Sequence, residues 1–240
     1  MTTEEKIFRR MRKAMKEYPI VEEGDRILVA LSGGKDSLCL VEMLARQHRI
    51  FVPRFDLEAV HVRMENIAYE SSTEELGRFC ERHGIKLHIL TTSFNASTDN
   101  RHTPCFLCSW QRRKAIFNFA QEHGFNKIAL GHHMDDILHT ALLNLFHEGR
   151  FDSMPPVLHM QKMPLTIIRP LCLIHEADIA RLSEEKGYPQ QIRRCPYEHD
   201  SRREEMKRLF TTIETLNPEA RYSLWHALEN SSTAPKEEEA

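Results

Sequence analysis

Two hydroxyls, two glycines, a lysine and a carboxylate fall within six consecutive residues, Ser32-Gly-Gly-Lys-Asp-Ser37. They follow the apolar run Arg26-Ile-Leu-Val-Ala-Leu31 and precede the apolar stretch Ser37-Leu-Cys-Leu-Val-Glu-Met-Leu-Ala45. A buried strand that turns on glycines into a helix aims backbone N–H groups and a helix dipole at one point, an arrangement that suits phosphate. A second reactive group is Cys105-Phe-Leu-Cys108. Two sulfurs three positions apart at a helix start can share one metal or cluster, and the helix N-terminus favours thiolate.

The glycine loop fails both common nucleotide patterns. A P-loop ending at Gly34-Lys35 requires glycine at position 29 and Ser or Thr at 36, where the chain has Val29 and Asp36. The dinucleotide pattern requires spaced glycines and a third one, and here the two are adjacent with no third following. An ordinary strand–helix turn is the plain alternative, but the full six-residue match in this setting favours a nucleotide site.

The cysteine pair supplies two ligands, so a third must come from elsewhere. Cys39 lies among Leu38, Leu40 and Val41, and Cys80 follows Phe79 on an apolar helix face; both read as buried, inert thiols. Cys172, in Arg169-Pro-Leu-Cys172, reads as packing. Cys195 stands in the polar Arg193-Arg-Cys-Pro196 and is the best third partner. Three cysteines suggest a cluster with one open iron, or a zinc site completed by His102 or His199. A transient Cys105–Cys108 disulfide is a further option, and spacing alone leaves these readings open.

The elements that must position these groups alternate. Strands are expected at 26–31, 57–62, 86–91, 126–130 and 165–169, with helices near 37–48, 72–84, 108–123, 136–148 and 175–187. Ser72-Thr-Glu-Glu75 reads as a capping box, and Gly84 and Gly124 as helix C-terminal caps. This rhythm implies a Rossmann-like α/β fold with a parallel five-stranded sheet covered by helices on both faces. Ligands of such sheets bind at the carboxyl ends of the strands, so the loops at 32–36, 92–107 and 131–136 are expected on one edge.

Four segments are expected: a basic amphipathic helix at 1–20 with Ile7, Phe8 and Met11 inward, an α/β domain at 21–190, a cysteine segment with helices at 191–228, and a disordered acidic tail at 229–240. Within them, 149–164 reads as an irregular connection, and the terminal helices break near Asn217-Pro218. The 240 residues are 41% hydrophobic, enough for a proper core, and carry a net charge of −2. No global positive field advertises nucleic acid. The cations are nevertheless clustered, at Arg112-Arg113-Lys114, Arg193-Arg194 and Arg202-Arg203. With no apolar run of membrane-span length, a cytoplasmic protein without membrane partners is expected, where six cysteines are seldom structural disulfides.

Taken together, Ser32-Gly-Gly-Lys-Asp-Ser37, Pro104-Cys-Phe-Leu-Cys108 with Arg112-Arg113, Ala129-Leu-Gly-His-His-Met-Asp-Asp-Ile-Leu138, Met154-Pro-Pro156, Ile168-Arg-Pro-Leu171 and Cys195 resemble the tRNA 2-thiocytidine synthetase family of pyrophosphate-loop ATPases. The resemblance spans roughly residues 20–210 and implies an adenine nucleotide alpha hydrolase type of fold. It also implies an enzyme that adenylates the C2 oxygen of an anticodon-loop cytidine in tRNA, so that sulfur can displace AMP. A [4Fe-4S] cluster on Cys105, Cys108 and Cys195 is implied, as are ATP and Mg²⁺.

By the same resemblance Ser32, Gly33, Gly34, Lys35 and Ser37 hold the phosphates, and Asp36 holds Mg²⁺ and is counted among the catalytic residues. His61, Gly131, His132 and Asp135 line the ATP site, and Arg112, Arg113, Lys114, Arg193 and Arg194 meet tRNA. A sulfur donor such as a cysteine desulfurase is an expected partner, and a homodimer would extend the basic surface that a net-acidic monomer lacks. Thiolation of a uridine, a lysidine-type ligase that needs no cysteines, and a nucleotide sensor with a zinc-stabilised loop are the rival readings.

Overall fold

A computed structural model describes residues 1–69, 73–94, 103–189, 193–194 and 202–233. The chain divides into two compact units: Met1–His133 with Pro156–Glu198, and Met134–Pro155 with His199–Ala240.

The first unit is built on one sheet. In chain order its strands are β1 (Asp25–Ala30), β2 (Phe55–Met64), β4 (Lys86–Thr92), β5 (Lys127–Ala129), β6 (Val157–His159) and β7 (Thr166–Ile168), and they lie in the order β4-β2-β1-β5-β7-β6. The first five of that order pair in parallel, as the alternating pattern requires. The sixth is a correction to the expected five-stranded sheet: Val157–His159 adds an antiparallel edge to β7 inside the segment read as irregular. Three residues directly after Pro155-Pro156, with only Val157 half-buried, give too short a pattern to read as a strand.

Between the strands run α2 (Lys35–His48), α3 (Thr73–Arg82), α4 (Pro104–Glu122) and α6 (Glu176–Lys186). Helix α2 is buried at ten of its fourteen positions, from Ser37 to Gln47, which explains its almost continuous apolar sequence. Gly84 and Gly124 take left-handed conformations, with φ of +71° and +70°, just past α3 and α4, as the glycine caps imply. The predicted capping residue Ser72 lies outside the described residues.

Helix α1 (Thr3–Glu17) starts with a capping box between Thr2 and Glu5 and buries Ile7, Phe8, Met11 and Ala14. It packs against α2 and α6, so the N-terminal helix belongs to the first unit instead of standing apart. A small antiparallel pair, β3 (Ala68–Tyr69) with β8 (Arg193–Arg194), joins Ala68 to Arg194 and Tyr69 to Arg193. Two-residue strands carry no periodicity, and neither was legible in the sequence.

The second unit consists of α5 (Met134–Leu143), α7 (Arg202–Leu216) and α8 (Ala220–Thr233), with α5 packed on both others. The helix predicted to run to 148 changes at Asn144–Glu148 into a π-helical turn that ends on Gly149 at φ +66°. The break between α7 and α8 falls at Asn217-Pro218, where the Asn217 side chain accepts a hydrogen bond from the Glu219 amide at 3.0 Å. Helix α8 continues through Thr233, so residues 229–233, expected in a disordered tail, are helical; residues 234–240 lie outside the described ones. Among the described residues no helix is long and apolar enough to cross a membrane.

Candidate active site

The loop after β1 folds around one hydroxyl. Ser37 Oγ donates to the Gly34 carbonyl at 2.9 Å and accepts from the Gly33 amide at 3.2 Å, with Ser32 Oγ 3.1 Å away. The Gly34 amide in turn donates to Ser32 Oγ at 3.3 Å. Gly33 sits at φ +89°, a region that L side chains rarely adopt, so the first glycine is required by the turn itself. Gly34 is the N-cap of α2 and offers no side-chain acceptor to the first helical amides, which leaves that end of α2 suited to an anion.

The charged members of the loop are held beside it. Lys35 Nζ lies 3.2 Å from Asp36 and 3.2 Å from Glu176 at the head of α6. Burial disfavours its ammonium, but Asp36 and Glu176 outweigh burial and raise its pKa. Lys35 is therefore a fixed positive charge at neutral pH. Gly131, after β5, approaches the peptide between Asp36 and Ser37 so closely that a Cβ there would lie 3.1 Å from the Asp36 carbonyl carbon and 3.1 Å from the Ser37 nitrogen.

The two histidines after Gly131 separate. His133 is buried, with Nε2 at 3.8 Å from the Asp36 carboxylate. His132 is half-buried, and its Nδ1 accepts a hydrogen bond from Arg169 Nε at 3.3 Å, which leaves the proton of the neutral ring on Nε2. Arg169 itself is buried just past β7, and burial presses its pKa down to about 10, with the Cys172 thiol and Arg113 as smaller influences. It stays a cation at pH 7. Asp135, expected at the same site, belongs to the second unit, where it pairs with Arg221 at 2.6 Å while Arg221 also holds Glu214 at 2.9 Å.

His61, near the carboxyl end of β2, is buried and donates from Nδ1 to the Leu31 carbonyl at 2.8 Å, directly before Ser32. Burial lowers its pKa, and the neighbouring cations Arg112 and Arg63 lower it further, so the ring is neutral. The charge felt from Arg112, one helical turn beyond Cys108, places α4 in the electrostatic neighbourhood of His61.

Helix α4 begins at Pro104, four residues earlier than the predicted 108, with Thr103 as its N-cap accepting from the Phe106 amide at 3.3 Å. Cys105 and Cys108 therefore both lie in the first turn and a half. Cys105 is exposed, and Cys108 is half-buried against Val62, Met64, Ile67 and Phe94. Cys39, Cys80 and Cys172 are buried, and burial pushes their thiols up, Cys80 to about 11 and Cys172 to about 12. Among the described cysteines only the α4 pair is accessible and placed to ligate. Cys195 lies outside the described residues, as do His102 and His199; the described chain reaches Arg194, paired with Ala68 beside Ile67. Of the expected tRNA contacts, Arg112 is half-buried and Arg113 and Lys114 are exposed, while Arg193 and Arg194 are placed by their backbone alone, in β8.

Two site residues escaped sequence reasoning. Arg169 was visible as the charge that ends β7 in Ile168-Arg-Pro-Leu171, at the edge where ligands bind. Glu176 left no signal, because only the folded sheet brings α6 to Lys35.

A glycine loop wrapped on a serine hydroxyl, leading into a helix at the carboxyl edge of a parallel sheet, defines a nucleotide-binding α/β protein, and residues 3–191 match the PP-loop domain family ATP_bind_3. The chain is 34% identical over 232 residues to the tRNA-cytidine(32) 2-sulfurtransferase of Marinobacter nauticus, covering 95% of this chain and 76% of that protein. It is likewise 34% identical over 231 residues to the enzyme of that name from Citrifermentans bemidjiense, covering 94% and 90%. It therefore belongs to the tRNA-cytidine(32) 2-sulfurtransferase family of PP-loop proteins. The fold is similar to that of the U34-tRNA thiolase NcsA from Methanococcus maripaludis, solved with its [4Fe-4S] cluster, at a TM-score of 0.76, 24% identity, and coverage of 94% of this chain and 77% of that one.

Proposed function

We propose that the chain is an ATP-dependent tRNA thiolase that converts an anticodon-loop cytidine, at position 32 as in its relatives' name, into 2-thiocytidine. The observation that carries this reading lies within the first unit. The phosphate loop follows β1, and the accessible Cys105–Cys108 pair opens α4, which packs on β2, the neighbour of β1 in the sheet.

In this scheme the C2 oxygen of the base attacks the α-phosphorus of ATP, and the bond to pyrophosphate breaks. The adenylated oxygen is then a good leaving group. A sulfur nucleophile adds at C2, and AMP departs with the original oxygen. The amides at the start of α2 hold the phosphates against the loop that Gly33 and Gly34 form, with Ser32 and Ser37 bracing that loop and Lys35 offsetting the phosphate charge. Asp36 holds Mg²⁺, which favours carboxylate and phosphate oxygens. His132, whose Nδ1 accepts from Arg169, and Asp135 are assigned to the nucleotide, and His61 fixes the edge of the pocket.

The donor set suits an iron–sulfur cluster: thiols at positions i and i+3 of one helix start, one exposed and one half-buried, with Cys195 assigned as the third. When bound, a [4Fe-4S] cluster with one open iron supplies a carrier for sulfur. Arg112, Arg113, Lys114, Arg193 and Arg194 receive the RNA backbone. The sulfur donor is a desulfurase-type protein, the location is the cytoplasm, and pairing of two copies as a homodimer widens the basic surface.

The test is mass spectrometry of nucleosides from tRNA of cells lacking the protein, with complementation by wild type and by Cys105→Ala, Cys108→Ala and Cys195→Ala. Loss of 2-thiocytidine, restored only by wild type, is expected. Loss of a thiouridine instead overturns the choice of base, and full activity of the alanine variants overturns the sulfur chemistry.

A further inference from the structure

Helix α4 carries more than the cysteine pair. Its inner face, with Leu107, Cys108, Ala115 and Ile116, packs on the cluster of Val62, Met64, Ile67 and Phe94. Its outer face presents Phe106 and Trp110, one turn apart, with 49% and 47% of their surfaces exposed. One turn further Lys114 places Nζ 5.1 Å from the centre of the Trp110 ring, and Arg113 beside it is exposed. Aromatic side chains of this size are commonly covered, as Trp225 is at 7% exposure. Two on one helical face, beside an exposed Cys105, call for an occupant.

Charge selects which. From Pro104 to Gln121 the sequence contains Arg112, Arg113 and Lys114 and no Asp or Glu, in a chain whose net charge is −2. The first turn of α4 lacks the acidic residues that helix starts usually collect. An apolar protein surface has no need of three cations and no acid. A single-stranded nucleic acid needs both parts, rings for the faces of its bases and cations for its phosphates.

We infer that Phe106 and Trp110, backed by Arg113 and Lys114, are a stacking platform for unpaired bases of the RNA loop that flank the nucleotide to be modified. The inference rests on the tRNA-thiolase reading above and adds the means by which the loop is opened toward Cys105. Stacking tolerates any base, so the platform selects an unpaired loop over a duplex and leaves the identity of the flanking bases free.

The test uses the full chain, purified anaerobically, with an anticodon stem-loop RNA and a blunt duplex of the same stem as probes. Fluorescence of wild type minus that of Trp110→Phe isolates the signal of Trp110. The expected result is quenching by the stem-loop and not by the duplex. Trp110→Ala, at a half-exposed position that leaves the fold intact, weakens stem-loop binding about 5- to 150-fold, the loss of one base–aromatic stack, and Trp110→Phe restores most of it. Lys114→Ala lowers the salt dependence of binding by about one charge.

Equal quenching by the duplex, or unchanged stem-loop affinity in Trp110→Ala, overturns the inference. So does quenching that grows with protein concentration in the absence of RNA, which would assign the rings to an interface between copies. Nucleoside mass spectrometry of the wild-type reaction separates the two claims. Thiolation without a Trp110 effect sinks the platform alone, and stem-loop-specific quenching without thiolation sinks the proposed reaction alone.

Discussion

Gly131→Ala adds one methyl group at the point where the loop after β5 touches the phosphate loop. The added Cβ would lie 3.1 Å from the Asp36 carbonyl carbon, 3.1 Å from the Ser37 nitrogen and 3.2 Å from the Asp36 oxygen. Comfortable carbon contacts are about 3.5–4.0 Å, so roughly half an ångström must be found. The obstructing atoms are backbone in the first turn of α2, which cannot swing away like a flexible side chain. Nor can α2 retreat, since it is buried from Ser37 to Gln47 at ten positions.

Overpacking of this kind costs about 1–3 kcal/mol, and the stiffer unfolded chain of an alanine returns about 0.4–1 kcal/mol. The net destabilisation is up to about 2.5 kcal/mol, a fall in Tm of up to about 10 °C for a chain of this size. The functional loss should be larger. Displacing reactive groups by about 1 Å can cost on the order of 100-fold, so half that shift is expected to slow AMP and pyrophosphate release at least about tenfold at 25 °C, where the variant stays folded. Gly34→Ala is the matched control for the fold. Its Cβ would meet only Ser32 Oγ, at an ordinary 3.6 Å, so Tm should hold while ATP binding suffers from crowding of the phosphates. Differential scanning fluorimetry and a pyrophosphate-release assay with tRNA decide the matter. A Gly131→Ala enzyme with wild-type Tm and rate would refute the idea that this contact positions the loop.

Ser37→Ala removes the acceptor of the Gly33 amide and the donor to the Gly34 carbonyl; a buried amide left unmet costs about 1–3 kcal/mol, seen as a lower Tm and a raised KM for ATP. In the metal-free protein at pH 8, iodoacetamide followed by peptide mass spectrometry should label exposed Cys105 first, and Cys39, Cys80 and Cys172 only after unfolding, because burial raises their pKa values. Burial depresses the pKa of His61 and His83 in the first unit and of His139 in the second. For a depressed histidine the stabilising contribution is complete above its unfolded value of about 6.5 and is lost as pH falls toward the folded one. Thermal melts should therefore drop between pH 7 and 5, and His61→Asn, which keeps a donor for Leu31, should flatten part of that drop. Arg169→Lys, which loses the planar Nε donor to His132, should lower kcat more than it raises KM for ATP, and an unchanged kcat would remove Arg169 from the site.

The parallel part of the sheet was legible because each of its strands shows as a largely apolar run of five or six residues between helical stretches, and such runs need no tertiary knowledge. The edge strand Val157–His159 and the pair Ala68–Tyr69 with Arg193–Arg194 were not, since two or three residues that owe their pairing to a distant partner leave no period. The site divides the same way. Ser32–Ser37 and Cys105–Cys108 are local, with spacing that itself carries chemistry. Glu176 at Lys35 and Arg169 at His132 are contacts between residues 141 and 37 positions apart. Asp135 stood out by its motif, whereas its ion pair with Arg221, 86 positions away, left no local trace.

The two helix starts at this edge explain why one fold can hold both reagents. Helix α2 opens with Lys35 and Asp36 after two glycines and has no side-chain cap, so a pinned cation and a carboxylate suited to Mg²⁺ stand at its start. On the proposed reading this start takes a polyphosphate with its metal. Helix α4 opens with proline and two cysteines and carries no acid in its first turn. Its dipole is left to favour thiolate, and its cations are left to RNA. A carboxylate near Cys105 would raise the cost of forming thiolate and repel the phosphates of the substrate; a cysteine in place of Asp36 would discard the oxygen ligand that Mg²⁺ prefers. On the proposed reading, keeping the carboxylate at the start of α2 apart from the thiols at the start of α4 lets activation of the base and delivery of sulfur proceed without interfering.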